Sequence, residues 1–329
     1  MTYLRNSTHL NLDLGGPSDP AADQISDRHA PFDGVCRVAT YESTHSGSLE
    51  LLSTYAPTDC SQLSLMRSGR PLIGVFDSGM GGLSVLAHLM HELTHCDFVY
   101  LADTLRVPYG SRSSEEIRGL SLAAAEWLKA CGASLEVIAC NSASAHSLSQ
   151  IRTQHGDLTV VGLVPAIKPA AARSESGLIG LLATQATLEG ELLKQVVQAH
   201  AAPLGVEVLT AHLPELVPWV ESGLPSTDPA LDQLLLKVRQ WQRMGVDQLV
   251  LGCTHYPFFK EHLATVFTEG CIHDSGAAVA RRVSSLLGAD ALQADIFTAQ
   301  RLNVYSSGDS GQDQLKLSRL LECTALSEL

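Results

Sequence analysis

Two short stretches of this chain, 113 residues apart (253 − 140), repeat one pattern, and together they limit its fold more than any other feature. Residues 135–145 read LEVIACNSASA: an apolar run through Leu135, Val137, Ile138 and Ala139 halts at Cys140, then Asn141, Ser142, Ala143 and Ser144 follow. Residues 249–257 read LVLGCTHYP, where the run halts at Cys253, Thr254 and His255. A short apolar run closing on small polar residues and helical composition is the pattern of a buried parallel strand that opens into a helix N-terminus. Ligands of open α/β sheets sit at that carboxyl end of the strands. A thiol placed there meets unpaired N–H groups and the positive end of a helix, which stabilise a thiolate. A lone cysteine in such a place reads equally as a small buried hydrophobe. Its recurrence in a matched setting points instead to two half-sites facing one another.

The intervening sequence alternates strand and helix. Strands are expected at 72–76, 98–101, 160–163, 178–182, 206–209 and 302–305, besides the two that end in cysteine. Helices are expected at 84–93, after the Ser113/Glu116 capping box, from Cys140 to about 154, at 189–201, from the Asp228-Pro229 cap to about 244, from Pro257, and at 277–287. Strands interleaved with helices imply parallel sheets. The expected fold is therefore α/β, with two similar lobes of parallel sheet flanked by helices and the active site in the cleft between them.

A chain of 329 residues, 45% apolar and 17% charged, has room for two domains with a sizeable core. Its net charge of −13 argues against nucleic acid and anionic membranes as partners, since both call for basic patches. No apolar run approaches the roughly 20 residues of a membrane helix. The eight cysteines lack CxxC spacing, which reads as reduced, cytoplasmic thiols and offers neither a zinc site nor a disulfide framework. Residues 1–70 are rich in Ser, Thr, Asp, Gly and Pro, carry a net charge of −3 (five Arg against eight acids), and are expected to be a disordered extension.

Opposed thiols suit one kind of chemistry: one, as thiolate, removes a proton from a stereocentre, and the other, as thiol, returns one on the opposite face. His255, two residues after Cys253, is a candidate partner, with a backbone hydrogen bond as the plain alternative. Asp77 could orient or deprotonate the opposite thiol, or merely cap a helix. Glu221 could act as an acid, or lie on the solvated edge of a helix. The glycines after Asp77-Ser78 loosely imitate a dinucleotide turn, but the third glycine is missing and Asp77 would repel a phosphate; a tight strand-to-helix turn explains them.

At these residues the chain resembles glutamate racemases, of the aspartate/glutamate racemase family. The matching motifs are IGVFDSGMGGLSVL at 73–86, LADTLRVPYG at 101–110, IACNSASA at 138–145, LVPWVESG at 216–223, LVLGCTHYPFF at 249–259, HDSGAAVARRV at 273–283 and VYSSGD at 304–309. The resemblance implies a cofactor-independent isomerase interconverting L- and D-glutamate for peptidoglycan synthesis. It makes Cys140 and Cys253 the acid–base pair, Asp77 the helper of Cys140, and Glu221 and His255 the helpers of Cys253. It places Asp77, Ser78, Tyr109, Gly110, Asn141, Ser142, Thr187, Thr254 and His255 around the substrate, with no metal and no cofactor. Residues 71–166 plus 274–329 would form the first lobe and 167–273 the second. Ser142 stands where the family usually has Thr, and Leu193 where it often has Tyr. A related racemase acting on aspartate or another amino acid is the nearest alternative, and a non-catalytic small-ligand-binding protein a more distant one. Regulation by a peptidoglycan precursor, UDP-MurNAc-L-alanine, and assembly as a homodimer are left open.

Overall fold

A computed structural model describes residues 4–6, 32, 34–44, 49–56, 69–224, 229–291 and 299–324. In chain order the elements are β1 (Leu4–Asn6), β2 (Cys36–Ser43), β3 (Leu49–Ala56), β4 (Leu72–Asp77), α1 (Leu83–Glu92), β5 (Asp97–Ala102), α2 (Ser114–Ala130), β6 (Leu135–Ile138), α3 (Asn141–Gln154), β7 (Thr159–Gly162) and α4 (Ile167–Arg173). There follow β8 (Leu178–Ala183), α5 (Gln185–Glu189), α6 (Glu191–His200), β9 (Glu207–Ala211), α7 (Leu216–Glu221), α8 (Pro229–Arg243), β10 (Gln248–Gly252), α9 (Lys260–Leu263), β11 (Ile272–His273), α10 (Gly276–Ala291), β12 (Arg301–Ser306) and α11 (Ser310–Glu322).

The strands form two sheets. The first has seven strands in the order β3-β2-β12-β5-β4-β6-β7, the second five in the order β1-β9-β8-β10-β11. All ladders from β12 through β7 are parallel, as are all those of the second sheet. After β1, which joins the second sheet, the chain builds the first sheet from β2 through β7, crosses to build the second from β8 to β11, and returns through α10, which packs on α1, to add β12. Ile272–His273 still pairs with β10, so the return begins only after that strand.

The central strands are buried along their length, which is why they read as continuous apolar runs rather than as alternation. The Ser113/Glu116 capping box forms as expected and starts α2. Asp228 lies outside the described residues, and α8 opens at Pro229. Two helices differ from expectation. The 189–201 helix is α6, cut off from α5 by Gly190, where a Cβ would lie 2.7 Å from Ala145. The helix from Pro257 starts as a 3-10 turn with Pro257 in its first turn and yields only one α-helical turn, Lys260–Leu263.

Residues 1–70 differ more. Instead of lacking structure throughout, they contribute β1 to the second sheet and the β2–β3 hairpin to the first, with β2 antiparallel to β12. Val38, Ala39 and Tyr41 are buried, Thr40 donates to Asn303 Oδ1 at 2.9 Å, and Arg301 pairs with Glu42. The Ser and Thr content that suggested a loop belongs to strands whose β-branched and aromatic residues suit a sheet. The seven described cysteines are free thiols.

One core side chain breaks the apolar rule. Glu136, in β6 between Gly74 of β4 and Val160 of β7, is fully buried, and neither carboxyl oxygen has a hydrogen-bond partner among the described residues. Burial alone pushes its pKa up to about 8. Its carboxyl is therefore held as the neutral acid at pH 7.

Candidate active site

The two sheets meet with the carboxyl ends of β4 and β6 facing those of β8 and β10. Cys140 is the extended residue that caps α3, and its Sγ accepts the Ala143 N–H at 3.5 Å. Its S–H donates to Ser78 Oγ at 3.5 Å. Burial pushes this thiol up, the Asp77 charge adds to the shift, and the Ala143 N–H and Ser78 contacts oppose it. Asp77 ends β4, and its Oδ2 accepts the Gly82 N–H at 2.6 Å. Burial raises Asp77 to about 6, against the lowering effect of His255 and the Gly82 N–H. Asp77 thus holds the turn into α1, and its charge is felt at Cys140.

Across the cleft, Cys253 follows β10 with its Sγ 3.7 Å from His255 Nδ1. His255 Nε2 lies 2.7 Å from Glu221 Oε1, at the end of α7. Both side chains are buried, so the solvated-edge alternative for Glu221 fails, and the partners of the His255 ring are side chains rather than backbone. Burial on its own would lower His255. The hydrogen bonds to Cys253 and Glu221, with their charges, outweigh that and hold it well above the usual histidine range.

Between the thiols lies a cavity of about 10 Å³, room for about one water-sized sphere. Cys140, Asn141, Ser142 and Ser78 line it from one side, and Cys253, Thr254 and His255 from the other. Asn141 Nδ2 is buried without a partner among the described residues, a donor left for a ligand. Ser142, Thr184 and Thr187 form a string of hydroxyls spaced 2.8 Å apart, running from α3 to the first turn of α5. Thr187 is therefore one step behind the wall, and Thr184 is in it. Tyr109 donates its phenol to Asp103 at 2.6 Å, so its ring anchors the loop, while Pro108 of the same loop lines the cavity. Gly110 packs against Thr184, where a Cβ would lie 2.8 Å away.

The structure thus brings the predicted residues of both halves to one place. Pro108 and Val217 line the cavity and were not singled out, although both fall within the matching motifs LADTLRVPYG and LVPWVESG. The dinucleotide alternative loses its space, since Glu221 and His255 occupy the ground over the glycine turn. Among the described residues no group of three His, Cys, Asp or Glu side chains is arranged to hold a metal ion, and no helix is long and apolar enough to cross a membrane.

Comparisons with known proteins identify the family. The profile of the Asp/Glu/Hydantoin racemase family matches residues 83–283. The glutamate racemase of Deinococcus radiodurans is 49% identical over 222 residues, covering 67% of this chain and 76% of that protein. That of Ectopseudomonas mendocina is 39% identical over 257 residues, covering 78% and 97%. Among solved structures, Escherichia coli glutamate racemase in complex with L-glutamate and the activator UDP-MurNAc-ala matches with a TM-score of 0.60 at 39% identity, covering 66% of this chain and 82% of that one. The Thermus thermophilus enzyme in complex with beta-chloro-D-alanine matches with a TM-score of 0.59 at 32% identity, covering 78% and 94%. With two cysteine-ended strands closing on one cavity and relatives this similar over most of its length, the chain belongs to the Asp/Glu/hydantoin racemase family.

Proposed function

We propose that this protein is a glutamate racemase, interconverting L- and D-glutamate by proton transfer between Cys140 and Cys253 without a cofactor. The observation that carries the reading is the pair of buried thiols lining one cavity from opposite sheets, each with its own acid–base neighbours. Asp77, Glu221 and His255 are those neighbours.

Burial keeps the proton on the Cys140 thiol, and the His255 ring, held well above the usual histidine range, stands 3.7 Å from Cys253 Sγ. Bound glutamate would lose its Cα proton to the Cys253 thiolate, the C–H electron pair passing into the α-carboxylate as an enediolate. The Cys140 S–H would then protonate the opposite face, leaving the thiol on Cys253 and the thiolate on Cys140, ready for the reverse direction. The Asn141 amide, the hydroxyls of Ser78, Ser142, Thr184 and Thr254, and the Tyr109-Gly110 backbone would supply donors for the carboxylates, with Thr187 backing Thr184, and Asp77 a counter-charge for the ammonium group. Production of D-glutamate for peptidoglycan in the cytoplasm, and response to the UDP-MurNAc-Ala held by the Escherichia coli neighbour, belong to the same reading.

The test is Cα exchange in deuterated water with each enantiomer of glutamate, with aspartate alongside. Wild type should interconvert the glutamate enantiomers with no additive, and Cys140→Ser and Cys253→Ser should each lose about 10²–10⁴-fold in racemisation, the usual worth of a positioned acid or base. Turnover of aspartate with glutamate untouched moves the assignment to the other substrate. A cysteine variant at near wild-type rate removes that thiol from the mechanism.

A further inference from the structure

The turn that follows β4 belongs to the Cys140 sheet, yet its closest dealings are with the machinery of Cys253. Glu221 Oε1 accepts two hydrogen bonds, from His255 Nε2 at 2.7 Å and from the backbone N–H of Met80 at 2.7 Å. The other oxygen, Oε2, is buried without a partner among the described residues, so both of these contacts depend on the one oxygen. The glycines either side of Met80 make the approach possible. A Cβ on Gly79 would stand 2.8 Å from the Glu221 carboxyl carbon, and one on Gly81 would stand 2.7 Å from His255 Cγ. A third tie crosses nearby: Ser84, on α1, donates to the carbonyl of Thr254 at 2.8 Å. The Met80 and Ser84 bonds link the seven-stranded sheet to the helix and loop of the five-stranded one, whereas the Glu221–His255 bond lies within the five-stranded side.

We infer that the Gly79–Gly82 turn, through the Met80 N–H, is the positioning element of the Glu221–His255 pair, so that the Cys253 half-site is complete only when the two sheets are closed on each other. The role given to Cys253 rests on the racemase reading above. The cavity between the thiols has room for about one water-sized sphere, so glutamate enters only when the sheets separate, and separation withdraws the Met80 N–H from Glu221. Closing then returns the donor that fixes the carboxylate, the carboxylate fixes the ring, and the ring presents Nδ1 to Cys253. The ionisable groups around His255 are Glu221 on α7, Cys253 on its own loop and Asp77 at the end of β4, with the Tyr100 phenol of β5 acting on Asp77 and Glu221. Only Asp77 and Tyr100 come from the same sheet as the turn.

The experiment uses the full chain carrying ¹⁵N-histidine, with Gly81→Ala and Ser84→Ala as test variants, Gly119→Ala as a control with open space at its Cβ, and His255→Gln to identify the ring signal. Without substrate, wild type and Gly119→Ala should keep both His255 ring nitrogens protonated to well above the usual histidine range, and Gly81→Ala should lose that protonation at least one pH unit lower. With Cα-deuterated glutamate, Gly81→Ala should lower kcat by about tenfold or more, as a misplaced group does, and leave KM within about threefold. The primary isotope effect should grow in one direction only, that in which Cys253 removes the proton. Ser84→Ala adds no bulk and should shift both readouts the same way by a smaller amount; it decides the matter if Gly81→Ala does not fold. An unmoved His255 signal, or isotope effects altered equally in both directions, overturns the inference. A wild type inert towards glutamate whose His255 signal still moves in Gly81→Ala rejects the substrate assignment and leaves the positioning role standing.

Discussion

Cys140 and Cys253 occupy equivalent places in their sheets but differ in what surrounds them. Cys140 has a carboxyl group, a hydroxyl and a helix N-terminus, whereas Cys253 has an imidazole backed by a carboxylate. Asp77, raised to about 6, ionises as pH climbs through that value, and its negative charge is the form that faces an ammonium group. The acid limb of kcat/KM should therefore sit near pH 6 and disappear in Asp77→Asn, measured between pH 5 and 8. Glu136 affects stability instead. Its folded-state pKa of about 8 lies above its ordinary 4.5, so the folded chain keeps a proton that the unfolded chain releases. Stability is then full below about pH 4.5, falls as pH rises towards 8, and levels off beyond, a change on the order of a few kcal/mol. Glu136→Gln should flatten this fall, seen as a smaller drop in Tm between pH 5 and 8 than in wild type.

The β2–β3 hairpin is an element that composition concealed. It covers the side of β12 away from β5, an otherwise open strand edge. Val38 is wholly buried in the main core cluster, and Val38→Ala should destabilise the chain by about 1–3 kcal/mol through lost burial and the cavity left behind, read from denaturant midpoints. A chain begun at Met66 would lack both strands and expose the β12 edge. It should melt lower and self-associate, detectable by size-exclusion chromatography, because unpaired edges template strand addition.

At the scale of the whole molecule, function depends on the two sheets meeting. The Ser142–Thr184 and Glu221–Met80 bonds are both contacts between the sheets, and separation of the sheets to admit substrate would break them. Thr184→Val removes the middle hydroxyl at nearly constant volume. It should raise KM for glutamate by about tenfold, the worth of one hydrogen bond to a charged group, and lower the melting temperature as well, because the same hydroxyl caps α5. An equal fall in kcat with unchanged KM would move Thr184 out of substrate binding.

Residue type and local spacing determined the strands that end in cysteine, the glycine turn, the capping box and the alternation of strand with helix. Each of these is decided within about a dozen residues of chain, by burial period, backbone freedom and terminal hydrogen bonding. Tertiary structure alone decided the rest. It set the partner of β2, which pairs Glu42 with Arg301, and it turned Glu221 from a plausible solvated edge into a buried acceptor shared by His255 and Met80. It also left Glu136 dry within a run that reads as apolar on either side. These are contacts between residues far apart in the chain, and the free energy of a hydrogen bond or a buried charge depends on which neighbours the completed fold supplies.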